Sequence, residues 1–181
     1  LGKSIFAFII FSLAASSIYI INDYSDIESD RKHPEKRRRP LASGAISKRT
    51  ALIVLVALIS LSIALIYFGA QYFHHNFWKF ATIIAFYFFM NLAYTFKLKH
   101  VAIIDVSIIS LGFVLRVLAG GYATGIFISQ WAILLTFVLA LVLAIGKRRG
   151  ELINAQISGK TRKALDGYNV QFADIALSVS C

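Results

Sequence analysis

An all-α, polytopic membrane bundle is the fold class predicted by three observations: extreme apolarity, apolar runs of membrane-spanning length, and basic residues confined to alternate connections. Of the 181 residues, 58% are hydrophobic and 15% charged, with a mean hydropathy of +0.71. A water-soluble domain carries roughly 25% charged residues, and a soluble core cannot hide this much apolar surface. About 20 apolar residues cross a hydrocarbon layer of about 30 Å as a helix, the one open structure that satisfies its own backbone there.

The first span runs from about Ser4 to Ile21 and passes straight into Asn22-Asp23-Tyr24-Ser25-Asp26-Ile27-Glu28-Ser29-Asp30. This acidic segment makes a cleaved leader a poor reading. Pro34 must end any helix that continues through it. A basic connection, Arg31 to Arg49, closes at Ser43-Gly44, and Ser47 is placed to cap the next helix. The second span covers about Thr50 to Gly69 and the third about Trp78 to Phe96, with Tyr72, Phe77 and Trp78 as an interfacial aromatic belt. The fourth, Val101 to Gly121, contains Asp105 and Arg116; the fifth is Trp131 to Gly146. A loop from Lys147 to Asn169 then precedes a partial sixth span, Gln171 to Cys181. With Leu1 in first place and the last residue inside an apolar run, both ends read as cut. The expectation is one transmembrane domain over 1–181, a fragment with about five complete spans and a partial sixth.

The formal net charge is +10, but its placement matters more. Of 19 Lys and Arg, eight lie between Arg31 and Arg49, two are Lys97 and Lys99, and six lie between Lys147 and Lys163. The connections near Gln71 to Phe77 and Tyr122 to Gln130 carry none. The positive-inside rule therefore puts the three basic connections in the cytoplasm. A nucleic-acid binder has no reason to alternate its charge with apolar spans. The single cysteine, Cys181, rules out an intrachain disulfide and a cysteine-based metal cluster.

Four of the nine acidic residues fall between Asp23 and Asp30. At helical spacing Asp23, Asp26 and Asp30 share one face, Asn22 lies one turn before Asp26, and Glu28 points away. Like charges one turn apart repel, and carboxylates at a helix C-terminus oppose its dipole. Such a stripe calls for a cation. A hard divalent ion bridging to phosphate fits, since magnesium favours a few carboxylates plus phosphate oxygens and water over a closed protein cage; a solvated helix end neutralised by neighbouring arginines is the plainer alternative. The run Arg31-Lys32-His33-Pro34-Glu35-Lys36-Arg37-Arg38-Arg39-Pro40 alone would be a topology or headgroup signal. Beside the acids it becomes a counter-charge for a diphosphate leaving group. His33 reads as loop structure. Charges inside spans cost roughly 2.5–3.5 kcal/mol each and face a protein interior or wet cavity, so Asp105 and Arg116 are site candidates. Eleven residues apart, about 16 Å along a helix, they share a face without touching.

Asn22-Asp23-x-x-Asp26-x-x-x-Asp30 at a span's end, followed by Arg39-Pro40, resembles the first signature of the UbiA superfamily of intramembrane prenyltransferases. The segment continues as His33-Pro34-x-Lys36-Arg37-x-Arg39-Pro40 and Ala42-Ser43-Gly44, which is similar to the branch that transfers phosphoribose to decaprenyl phosphate. Tyr94-Thr95-Phe96-Lys97-Leu98-Lys99-His100, Gly112-Phe113-x-x-Arg116-x-x-Ala119-Gly120-Gly121 and Gly146-Lys147-Arg148-Arg149-x-Glu151-Leu152 agree with that branch.

The resemblance implies a UbiA-type helical bundle around a cavity capped on the cytoplasmic side of the plasma membrane of a bacterium. It implies transfer of a 5-phosphoribosyl group from phosphoribosyl pyrophosphate to a polyprenyl phosphate, with magnesium (Mg2+) and release of pyrophosphate, in cell-wall biosynthesis. Asp23, Asp26 and Asp30 would hold the metal and, with Asn22, the donor's pyrophosphate. Lys36, Arg37, Arg39, Lys99 and Arg116 would bind phosphates, with Tyr94 and Lys147 in the same substrate-binding set. Asp105 takes the acidic position of the second signature and joins the catalytic set. Prenyl-transferring members carry two or more acids in that signature, whereas Asp105 is alone between Glu35 and Glu151; this favours the phosphoribosyl branch over an aromatic or quinone prenyltransferase. A non-catalytic transporter subunit, with Asp105 and Arg116 lining a path, does not call for an aspartate triplet beside a basic loop.

Overall fold

The computed structural model describes residues 2–34, 36–73, 77–158 and 169–180. Helix α1 is Gly2–Ser25, followed by the short α2, Ile27–Arg31, a 3-10 turn at Lys36–Arg38 and α3, Pro40–Ser43. Then come α4, Lys48–Phe73; α5, Phe77–Phe96; a second 3-10 turn, Leu98–His100; α6, Ile104–Thr124; α7, Gln130–Ser158; and α8, Val170–Ser180. Five helices among the described residues are long and apolar enough to cross a membrane: α1, α4 through Tyr72, α5, α6, and α7 through Ile153. The protein is an integral membrane protein.

Helix α6 is central, packing against α1, α5 and α7, while α4 lies on the far side of α1 and α8 beyond α7. Small buried side chains on α6, Ser110, Gly112, Ala119, Gly121 and Ala123, allow the close approach. The outer helices reverse the usual order of inside and outside. Ile53, Val56 and Ile63 on α4 and Leu135, Leu139 and Leu143 on α7 face outward, as they should where the surrounding solvent is lipid.

One core cluster joins Ala7, Ile10 and Ala14 of α1 to Phe77, Phe80 and Ile84 of α5 and Ala119 and Ala123 of α6, at the end remote from the acidic motif. There α4 closes over Phe77 at Gly69, where a Cβ would stand 2.3 Å from the ring. Ile18, Tyr87 and Leu115 fill the middle, and Val106, Ala144, Ile145 and Ala173 pack near the acidic end. A fourth cluster, Ile27, Leu41 and Ala51, seats α2 and α3 on the start of α4.

Three boundaries depart from the sequence expectation. The loop expected from Lys147 is helix through Ser158, because charge ends a membrane span without ending a helix and no proline intervenes. Residues 159–168 of that expected loop, Glu35 and Cys181 lie outside the described residues. The span expected from Val101 begins as helix only at Ile104, after a tight turn. Helix α4 starts at Lys48 and not Thr50, and the cap expected at Ser47 is present, its Oγ accepting the Thr50 amide at 3.0 Å.

Candidate diphosphate site

The acidic motif occupies the last turn of α1 and the whole of α2. A turn at Asp26 separates the two helices, yet the Asp26 amide donates to the Asn22 carbonyl (3.0 Å) and the Asp30 amide to the Asp26 carbonyl (2.8 Å). Helical spacing is thus kept. Asp23 and Asp30 converge: one nitrogen of Arg39, Nη1, donates to Asp23 Oδ1 and to Asp30 Oδ2, each at 2.9 Å. Asp26 instead accepts from Lys99 Nζ at 2.6 Å. The Asp30 side chain is 4% exposed, Asp26 23% and Asp23 30%. Glu28 points away and meets Arg31 at 3.5 Å on the surface, a contact of about 0–1 kcal/mol.

Two prolines deliver Arg39. A residue before proline is pushed out of the helical region, and Arg39 is extended (φ −61°, ψ 144°) with Pro40 opening α3. Helix α3 buries Leu41 and Ala42, ends at Gly44 in the left-handed region (φ 81°), and is tied back by Arg31 Nε donating to the Ala42 carbonyl at 3.2 Å. The chain between Arg31 and Pro40 therefore folds back over the acidic motif. His33 Nδ1 accepts the Lys36 amide at 3.3 Å, a loop-building role. Lys36 is half-buried in this turn and Arg37 is exposed beside it; Asn22 is half-buried a turn before Asp26.

Lys99 comes from the α5–α6 connection, whose two ends are joined by a hydrogen bond. The Tyr94 hydroxyl, near the end of α5, donates to Asp105 Oδ1 in the first turn of α6 at 2.8 Å. The Ile104 amide donates to the Ala102 carbonyl at 2.8 Å across Ile103, which holds φ 70°, ψ −50°. That conformation is strained for a β-branched residue, by about 1–3 kcal/mol, and persists only where its surroundings impose it.

Asp105 itself is fully buried. Arg148 of α7 donates to both of its oxygens, Nε to Oδ2 at 2.6 Å and Nη2 to Oδ1 at 3.0 Å, and turns Nη1 to Glu151 at 2.7 Å. Arg148 is the important residue that sequence reasoning left unassigned. The available signal was Asp105, since a buried carboxylate requires a cation, and the first turn beyond the fifth span offers several. Lys147, which was singled out, is exposed next to it; Arg149 pairs with Asp174 of α8.

Arg116 does not join these groups. It donates to the Tyr87 hydroxyl at 3.1 Å, with its guanidinium 5.0–5.9 Å from the rings of Phe113, Tyr87 and Phe11. Aromatic faces stabilise a cation within about 6 Å. Tyr87 lies two helical turns before Tyr94, so Arg116 sits farther along the span from the acidic end than the Asp105 pair, on an exposed face of α6.

Among the described residues no three His, Cys, Asp or Glu side chains converge on one point. The arrangement suits a hard divalent ion nonetheless, because such an ion can take a few carboxylates and complete its shell with phosphate and water. Asp23 and Asp30 already share one cationic atom, with Asp26 on the same helical run.

Five apolar spans and an acidic helix end folded against a basic loop define a polytopic helical membrane protein with a cluster of paired charges at one end. The model of the UbiA prenyltransferase family matches residues 2–148, and the chain belongs to that family. It is 41% identical over 90% of its length to a decaprenyl-phosphate phosphoribosyltransferase of Corynebacterium glutamicum, covering 48% of that protein. To the protein of the same name from Mycolicibacterium smegmatis it is 41% identical over 96%, covering 53%. The Mycobacterium tuberculosis counterpart is 38% identical over 99%, covering 58%. The chain thus spans about half the length of these relatives.

Proposed function

We propose that this chain carries the donor-diphosphate site of an enzyme that transfers a 5-phosphoribosyl group from phosphoribosyl pyrophosphate to a polyprenyl phosphate such as decaprenyl phosphate. The observation that carries the reading is the meeting of Asp23 and Asp30 on Arg39, beside Asp26 on Lys99. Here carboxylates that suit a divalent ion and cations that suit phosphate occupy one surface. The names of the relatives support a phosphoribosyl group and a decaprenyl-phosphate acceptor, and the alternation of basic connections supports a cytoplasmic site.

Asp23, Asp26 and Asp30 would hold magnesium, which when bound supplies charge neutralisation to the departing pyrophosphate. Arg39 and Lys99 exchange their carboxylate partners for phosphate oxygens when the donor arrives, with Lys36 and Arg37 at the edge of the same loop. The bond between the anomeric carbon and the pyrophosphate oxygen breaks with its electron pair leaving on pyrophosphate, and oxocarbenium character builds on the ribose. An oxygen of the lipid phosphate closes on that carbon. This nucleophile is already anionic, so a strong general base is unnecessary. The bundle lets the lipid chain remain in the membrane while its phosphate reaches the cytoplasmic end.

The test is product analysis with the full-length protein in membranes, polyprenyl phosphate, magnesium and phosphoribosyl pyrophosphate. Lipid-linked phosphoribose is the expected product. Incorporation from an isoprenyl diphosphate into an aromatic acceptor, and none from phosphoribosyl pyrophosphate, would overturn the reading.

A further inference from the structure

We infer that Asp105 is a positioning residue, acting through the α5–α6 connection to aim Lys99 at the diphosphate site, and that it touches neither metal nor substrate. The inference rests on the reading of Lys99 as a phosphate-binding group.

Asp105 offers no open approach for a ligand. Its side chain is 0% exposed, and both oxygens are taken, by two nitrogens of Arg148 and by the Tyr94 hydroxyl. A metal ion would have to displace a buried bidentate guanidinium, the strongest form of charge-assisted pairing. What Asp105 does hold is the chain. The Tyr94–Asp105 bond closes the connection between α5 and α6, and Arg148 fixes the same carboxylate to α7. Lys99 stands midway along that closed connection, and its Nζ is 2.6 Å from Asp26 Oδ1.

Backbone hydrogen bonds tie the chain around Lys99, beginning with the Lys97 amide donating to the Ala93 carbonyl at 3.0 Å. The Val101 amide donates to the Leu98 carbonyl at 3.1 Å, the Ile104 amide to Ala102 at 2.8 Å, and the Asp105 amide to Val101 at 3.1 Å. The strained Ile103 lies between Lys99 and Asp105, and strain of this kind relaxes when the surrounding anchors are released. Loosening Asp105 therefore lets the turn open and withdraws Lys99. Three helices and one lysine form a single positioning unit whose fixed point is a carboxylate.

Kinetics and manganese binding on full-length protein in lipid nanodiscs test this, using D105N, K99A, the double variant D105N/K99A, and D105N/R148Q. Lys99→Ala and Asp105→Asn are each expected to raise the KM for the donor about tenfold or more, the size of one charge-assisted contact. The double variant is expected to be no worse than the poorer single one, because both remove the same contact. Multiplication of the two effects would overturn the proposal.

Manganese binding without substrate supplies a readout independent of the reaction. Removing Lys99 frees Asp26, so K99A is expected to bind manganese more tightly, and D105N to do the same at unchanged stoichiometry. Loss of a bound ion or weaker binding in D105N would make Asp105 a ligand and end the proposal. Where D105N folds poorly, D105N/R148Q removes the unpaired buried cation as well and is read by the same criteria. Should wild-type protein bind manganese as described yet transfer no phosphoribose, the functional reading falls, while the coupling of Asp105 to Lys99 is still decided by the metal titration.

Discussion

The two groups of carboxylates at the acidic end of the bundle differ in what their partners leave open. Asp23 and Asp26 are partly accessible and Asp30 is buried beside them, and each meets a cation through one oxygen. Asp105 lies wholly inside, gripped through both oxygens by Arg148 and Tyr94. Both are charge pairs in an otherwise apolar protein, but the first is partly open to a ligand and the second is enclosed. A dissociable pair suits a substrate site; a saturated one suits a joint between helices.

The largest expected effect follows from breaking the joint. Removing one partner of a buried ion pair leaves the other charge stranded, a loss of about 3–5 kcal/mol. Arg148→Ala should accordingly lower the midpoint of thermal unfolding in detergent well below that of the wild type. On the exchangeable side the order reverses. Asp23→Asn is expected to leave the unfolding midpoint nearly unchanged while lowering turnover roughly 10²–10³-fold, the scale for losing one charge-stabilising group; initial rates with saturating donor measure it.

Gly69→Ala probes the remote end and should separate packing from chemistry. Its Cβ would meet the Phe77 ring at 2.3 Å, so overpacking of about 1–3 kcal/mol is expected, seen as reduced stability with the donor KM retained. The smallest effect belongs to Glu28→Gln. Its ion pair with Arg31 is exposed and contributes about 0–1 kcal/mol, so both stability and turnover should match the wild type within error.

Much of the fold was legible in sequence because hydrocarbon thickness sets helix length and apolar runs reveal it. The boundaries were less so: a charged Lys147-Arg148-Arg149 ends a span, yet the helix continues to Ser158 because nothing in the sequence breaks it. The acidic run was readable from local spacing. Its cation partners were not, since Arg39 is delivered by how Pro34 and Pro40 turn the chain, and Lys99 comes from another connection altogether. Asp105 was visible as a charge in an apolar span, but its partner lies 43 residues away on α7. Pairings at that range are set by helix packing, which no local pattern encodes.

The most direct test of the account is binding of the manganese–pyrophosphate complex to the purified full-length protein, followed by electron paramagnetic resonance. Wild type should retain the complex, Asp105→Asn should hold it at the same stoichiometry with about tenfold weaker affinity, and the Asp23→Asn/Asp30→Asn double variant should lose it. Retention by the double variant, or loss on changing Asp105 alone, would contradict the division between an exchangeable site and a sealed joint.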